Sequence, residues 1–347
     1  MRLAPHIFLP LLAILTIGGI LLSTGLGYLH IDAMDILRIV FSKLKGNPSL
    51  LTELEPSTPY IVWEVRLPRI LMAALVGASL ATSGVIYQGI LLNPLADPYT
   101  LGISSGAAFG ASLALLVNLT GLGILGALST PFCAFFGAIT TLLIVLRLSS
   151  FNGQVSAQNL ILSGVIIGAI LSAGISFLKY LANEQVAVIV FWLMGSFAAA
   201  TWQQAGILCI TLIFGLSVTL YYSRDLNIMS LGKRSSDSLG VETAKIRTIL
   251  LLTASLMAAV SVSMSGIIGF IGLIVPHLTR FLTGPDNRIL LPASCLCGAL
   301  LLLAADTLTR AILPMEIPIG ILTALIGGPF FCVIFRTKQK QGAYGAQ

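Results

Sequence analysis

An all-helical, multi-pass membrane domain is the fold class predicted by three properties of this chain. Of its 347 residues, 56% are hydrophobic and only 9% are charged, against about a quarter charged in a typical soluble domain. Apolar stretches close to the ~20 residues that cross a bilayer as a helix recur from Ile7 to Phe335, with short polar breaks. The 34 glycines, with abundant alanine and serine, let helix backbones approach closely. In lipid, where hydrophobic burial does not drive helices together, such packing does. No long linker, low-complexity tract or charged tail beyond the basic run Arg336 to Lys340 divides the chain, so residues 1–347 read as one transmembrane domain.

The first apolar run, Ile7 to Leu29, follows one early Arg2, as a signal peptide would. It is long for a signal h-region, so a retained first helix is expected. Further spans are expected at 68–91, 99–118, 123–147, 157–180, 203–222, 246–265, 267–283, 289–311 and 318–335, about ten in all. An even number puts both termini on one side. Twelve Lys/Arg fall on that side against seven on the other, so the positive-inside rule places the termini in the cytoplasm. The net charge of +6 is scattered between spans, so it reports topology rather than a nucleic-acid partner. Cys133, Cys209, Cys295, Cys297 and Cys332 all lie in apolar runs and read as packing residues, with no spacing that would hold a metal.

Several polar residues run against this background. Arg66, Arg69 and Arg310 stand near the outer ends of spans, where topogenic pressure disfavours arginine. They form either an exposed cationic patch for an acidic partner or side chains that snorkel to lipid phosphates. Asp306 lies well inside a span, where a carboxylate is a functional candidate by default. Arg310 follows it by four residues on the same helical face, favouring a structural ion pair Asp306–Arg310 over a proton relay. His277, after Pro276, reads as a packing residue.

Two connections carry more than linkage. In Asn93-Pro94-Leu95-Ala96-Asp97-Pro98, the prolines end one helix and start the next, and Asn93 and Asp97 are placed to cap the freed backbone groups. Such a rigid turn at the cytoplasmic surface is suited to be one lip of a pore. The longest cytoplasmic connection, residues 223–245, mixes Ile228, Met229, Leu231, Leu239 and Val241 among polar residues, with Gly232 and Gly240 as turn points. Two short amphipathic helices on the inner face are expected. The only Gly-Lys pair, Gly232-Lys233, lacks the upstream glycine of a phosphate loop, and no catalytic triad or paired intramembrane carboxylates occur. Solute movement would therefore draw on an ion gradient through Asp306 or on a partner protein. Enzymatic activity is not expected.

Taken in order, RLPR (Arg66 to Arg69), GASLATSG (Gly77 to Gly84), NPLADP (Asn93 to Pro98), LGISSGA (Leu101 to Ala107) and WLMGSF (Trp192 to Phe197) resemble the FecCD-type permeases of ATP-binding-cassette importers. So do LG with SLGV (Leu231 to Val241), GFIGLIVPHLTR (Gly269 to Arg280) and EIPIGILTALIGGPFF (Glu316 to Phe331). The resemblance runs from about Asp32 to Phe335. It implies a type II importer fold of ten helices per subunit, a homodimer with the path between subunits, and a bacterial or archaeal cytoplasmic membrane. It further implies two ATPase subunits that use ATP and Mg, and a solute-binding protein that delivers an iron-siderophore, haem or cobalamin chelate. No cofactor is expected on this chain.

By the same resemblance Arg66, Arg69 and Arg310 dock the binding protein, and Asn93 to Pro98 belong to the cytoplasmic gate. Leu231, Gly232, Ser238, Leu239, Gly240 and Val241 belong to the segment that couples to the ATPases. One departure concerns that segment: acidic residues often follow its first LG in the family, whereas here Lys233 and Arg234 do. The alternative from another class is an ion-coupled secondary transporter working through Asp306.

Overall fold

Apolar segments in a bilayer have no water to satisfy their backbone groups, so each closes its own hydrogen bonds as a helix. The computed structural model describes residues 5–27, 29–47, 51, 54–121, 129–151, 154–311 and 316–344, and fourteen helices are found among them. They are α1 (Pro5–Gly25), α2 (Ala33–Lys45), α3 (Thr58–Ile90, with a π-helical turn over Ile61–Arg66), α4 (Ile103–Leu119), α5 (Ser129–Ser149), α6 (Ala157–Leu181) and α7 (Val186–Leu193). After them come α8 (Trp202–Tyr221), α9 (Ser223–Met229), α10 (Lys233–Ser238), α11 (Thr243–Ser265), α12 (Ile271–Thr283), α13 (Asn287–Ala311) and α14 (Ile319–Tyr344). A two-residue antiparallel pairing, Ser150–Phe151 with Gln154–Val155, follows α5.

Each of the ten expected spans is helical over most of its described residues; residues 123–128 of the fourth lie outside them. Seven of the described helices are long and apolar enough to cross a membrane; α4, α12 and the apolar part of α14 are shorter. Two helices escape a hydropathy reading. Helix α2 is amphipathic: it buries Ile36 and Ile39 at i, i+3 spacing and exposes Met34, Phe41 and Leu44. It ends where Gly46 takes the left-handed conformation and returns its N–H to the Ser42 carbonyl. Helix α7 has eight residues, too few to register as a span.

Helix α3 is the axis of the bundle. Of its most apolar stretch 89% is buried, against 22% for α6 and for α8. Small residues explain this position, because a Cβ on Gly77 would strike the Gly298 backbone of α13, and one on Gly84 would strike the Gly272 carbonyl of α12. Backbone therefore packs on backbone along α3, as lipid-phase association requires. Helices α6 and α8 instead turn Ile166, Ile170, Phe177, Ile210 and Phe214 outward.

The NPLADP turn and the 223–245 connection lie at one end of this bundle. Helix α3 carries Arg66 and Arg69 at its start, and the 24 residues from Leu67 to Ile90 lift the chain by about 36 Å before the NPLADP turn. Trp202 Nε1 donates to the Trp63 carbonyl (2.9 Å), which fixes the start of α8 at the arginine end and α9–α10 at the other. Midway, non-helical backbone is satisfied inside the protein. Ser196 N donates to Ser265 O (2.8 Å), Ile319 N to Gly195 O (3.2 Å) and Gly320 N to Met194 O (3.0 Å). Three chain breaks, after α7, between α11 and α12, and before α14, thus close on one another.

Candidate functional site: two polar ends and a cavity between them

At the arginine end the guanidinium groups point inward. Helix α1 ends there with unpaired carbonyls, the negative end of its dipole. Arg66 Nη1 donates to the Thr24 (2.7 Å) and Gly25 (3.4 Å) carbonyls, and its Nη2 to Leu29 O (2.6 Å). Arg310 Nη1 donates to Leu26 O and Nη2 to Ser23 O, both at 2.7 Å. Gly27, at φ 153°, lets the two cations approach: a Cβ there would meet Arg66 Nη2 and Arg310 Nη1 within 3 Å.

Arg69 joins three elements. Its Nε and Nη2 grip Asp306 Oδ1 at 3.1 and 3.0 Å, while Nη1 lies 3.2 Å from both oxygens of Glu316. The expected ion pair between Asp306 and Arg310 is present at 3.9 Å, and Arg69, reaching across from α3, holds the same carboxylate more closely at 3.0 Å. One expectation is corrected: there is no open cationic patch, since Arg66 is 6% exposed, and the Arg69 and Arg310 side chains 12% and 10%. Each guanidinium that enters an apolar bundle is matched by an acceptor, since an unmatched one costs far more than the match returns.

Between the ends lies a cavity of about 750 Å³, lined mainly by Leu193, Met194, Ile267, Phe270, Leu273, Ile321, Ala324 and Leu325, with Asp97 and Tyr99 at its edge. Phe270 holds φ 67°, a conformation that a bulky side chain adopts only under constraint. Its ring packs where Gly327 of α14 has no side chain. Among the described residues no group of three His, Cys, Asp or Glu side chains is arranged to hold a metal.

At the opposite end the NPLADP turn is built as its residue types predict. Asn93 Oδ1 accepts from Leu95 N (2.9 Å), and Asp97 Oδ1 accepts from Tyr99 N and Thr100 N, both at 3.0 Å. Pro94 and Leu95 are half-buried, but Ala96, Asp97 and Pro98 are buried, so a turn expected at the surface is partly folded into the protein. Burial pushes the Asp97 carboxyl up to about 6, against the pull of its two N–H donors.

The connection 223–245 forms the two short helices expected, α9 and α10, with Gly232 (φ 96°) and Gly240 (φ 77°) at their turns. Leu231, Ser238, Leu239 and Gly240 are exposed, whereas Val241 is buried and anchors the return into α11. Sequence reasoning missed what clamps this unit. Asn227 Nδ2 donates to Asp286 Oδ1 (2.8 Å), and Asn227 Oδ1 accepts from Asn287 N (2.9 Å) and Nδ2 (2.7 Å), which ties α9 to the first turn of α13. Leu226 fills the space left by Gly89 of α3. An Asn four residues into a loop helix and an Asp-Asn pair before an apolar span carry no joint signal until the fold brings them together.

A profile of the FecCD transport family, the transporters that this set of motifs resembles, matches residues 14–337. The chain belongs to the FecCD transport family. Among FecCD-like relatives, the cobalamin import permease of Halobacterium salinarum is 41% identical over 80% of this chain and 74% of its own. The molybdate import permease of Haemophilus influenzae is 37% identical over 97% of both. The hemin transport permease of Yersinia pestis is 39% identical over 81% of this chain and 84% of its own. A solved structure described as an inward-facing metal-chelate-type ABC transporter superposes with a TM-score of 0.81 at 35% identity, over 96% of this chain and all of that one. This FecCD chain is thus a multi-pass membrane permease of the ATP-binding-cassette importer class, and the ion-coupled carrier is set aside.

Proposed function

We propose that two copies of this permease form the path of an importer that carries a preassembled metal chelate into the cytoplasm. The apolar wall of the central cavity suits the class of the iron-siderophores, haem and cobalamin. The observation that carries this reading is the character of its wall. A bare oxyanion such as molybdate asks for N–H or guanidinium donors, yet the charged side chain at this cavity is Asp97, which repels an anion. An organic chelate presents apolar surface and needs little more than room.

Energy enters at the α9–α10 end, which this reading places in the cytoplasm with both termini. Exposed Leu231 and Leu239 are apolar knobs suited to a cleft on each of two ATPase subunits, where ATP and Mg are used. The clamp of Asn227 on Asp286 and Asn287 passes their movement to α13. The NPLADP turn, beside the cavity, serves as the inner gate. At the arginine end a solute-binding protein docks through acidic residues drawn to Arg66, Arg69 and Arg310, whose charges lie just beneath the surface; the backbone carbonyls and Asp306 that these arginines hold fix their positions. ATP binding then shifts the pair of subunits between two packed states.

The decisive experiment is ATPase and uptake in lipid vesicles, with the permease assembled with its ATPase and binding protein. Loaded binding protein is expected to stimulate ATP hydrolysis, and Leu239→Asp to abolish the stimulation while the purified permease stays folded. Uptake without ATP that followed an imposed proton gradient would overturn the reading.

A further inference from the structure

Arg69 has two usable edges, and they are held very differently. The Nε/Nη2 edge is locked on Asp306, whose side chain is 1% exposed. The Nη1 end holds Glu316, whose side chain is 55% exposed. A buried pair stays closed because breaking it strands a charge, whereas an exposed pair contributes little and exchanges with any carboxylate that arrives. A cavity of about 210 Å³ opens beside this pair, lined in part by Arg69, Asp306, Glu316 and Phe191.

Glu316 also sits at a mechanical position. It precedes by three residues the start of α14, the helix that contributes Gly320, Ile321, Ala324 and Leu325 to the central cavity. Beyond the Glu316 ion pair, the start of α14 is tied among the described residues by the two backbone bonds from Ile319 to Gly195 and from Gly320 to Met194 and by the burial of Ile319. Outward, Ile326 and Val333 face away from this subunit. The Arg69–Glu316 contact is therefore a side-chain tether from the central helix α3 to the wall of the path that α14 forms.

We propose that Glu316 is a built-in competitor for Arg69: it occupies the place of a binding-protein carboxylate until docking displaces it and frees the start of α14. The inference rests on the reading that Arg69 receives the binding protein. The exchange replaces one carboxylate by another on the same guanidinium, so it costs little in charge. Its outcome is set by the concentration and orientation of the docking protein. The outer mouth thereby stays tethered when no partner is present and loosens when one arrives.

The test uses the complete permease–ATPase assembly in lipid and titrates the binding protein against wild type, Arg69→Ala, Glu316→Gln and Glu316→Ala. Arg69→Ala is expected to weaken docking by about tenfold or more. Removing the competitor in either Glu316 variant is expected to tighten docking by about two- to fivefold, and to raise ATP hydrolysis in the presence of empty binding protein. Because Glu316 is exposed, both variants should assemble at wild-type yield, and two different replacements guard against a defect peculiar to one. If Arg69→Ala weakens docking while both Glu316 variants dock as wild type or worse, competition is overturned and the docking role of Arg69 survives. If Arg69→Ala docks normally, the docking reading fails and takes the proposal with it.

Discussion

Asp306 and its arginines show what a charge inside an apolar bundle costs. Its carboxylate is shared by Arg69 at 3.0 Å and, more distantly, by Arg310 at 3.9 Å, and both cations are about nine-tenths buried. Asp306→Ala leaves two neighbouring guanidinium groups without their common anion, a loss of about 3–5 kcal/mol that should appear as a clear drop in the thermal midpoint of the purified permease. Asp306→Asn keeps an acceptor oxygen and should lose less. An unchanged midpoint for the alanine variant would show that the pair is not holding α3 to α13. Arg66 offers a second test of geometry against charge. Lysine keeps the cation but cannot reach the Thr24, Gly25 and Leu29 carbonyls from one nitrogen. Arg66→Lys is therefore expected to cost about 2 kcal/mol, read in the same thermal scan, and an unchanged midpoint would count against the cap on α1.

Helix α3 owes its central place to glycines that a composition count notices but cannot locate. Gly84→Ala drives a methyl group into the Gly272 backbone of α12 and should separate the two helices, while Gly206→Ala on α8 meets nothing within 4 Å. The first is expected to reduce folded yield severely and the second to leave it unchanged or slightly raised, as alanine is the better helix former. Equal yields would mean that close backbone contact is not what positions α3. The spans themselves were readable because the bilayer sets their length and composition. Helix α2 was not read as one, although Ile36 and Ile39 mark its buried stripe, because thirteen mixed residues fall below any spanning threshold. Asn93 and Asp97 could be assigned to their turn because an Asx cap is local chemistry. Pairing Asp306 with Arg310 followed the same local logic and reached the lesser partner, since Arg69 lies 237 positions away in sequence and only the α3–α13 packing brings it close. Asn227 with Asp286, and Arg69 with Glu316, were hidden for that same reason.

The molecule as a whole separates its tasks by end, with inward-turned arginines at one, the exposed α9–α10 pair at the other, and α3 and α13 spanning both. Global stability sums over those ends, and two carboxylates at the α9–α10 end, outside the spans, give it a shaped pH dependence. Burial pushes Asp97 up to about 6 from the ordinary 3.8. Between about pH 4 and 6 the folded protein thus holds a proton that the unfolded chain has released, and stability falls as pH rises through that window. Asp286 behaves oppositely. The Arg288 guanidinium, followed by Asn227, holds it down to about 2, so its contribution is fully present above 3.8 and is lost as pH falls through 2. The windows scarcely overlap, so between pH 4 and 6 Asp286 adds little slope and Asp97 contributes a falling one. In detergent the thermal midpoint of the wild-type protein is expected to fall across that range and then level. Asp97→Asn keeps a side-chain oxygen for the Tyr99 and Thr100 amides but carries no charge at any pH, so its midpoint should fall less steeply there than wild type and exceed it at pH 7. A variant that kept the wild-type slope would locate the titrating group elsewhere and would mean that the turn beside the cavity tolerates a buried charge without cost.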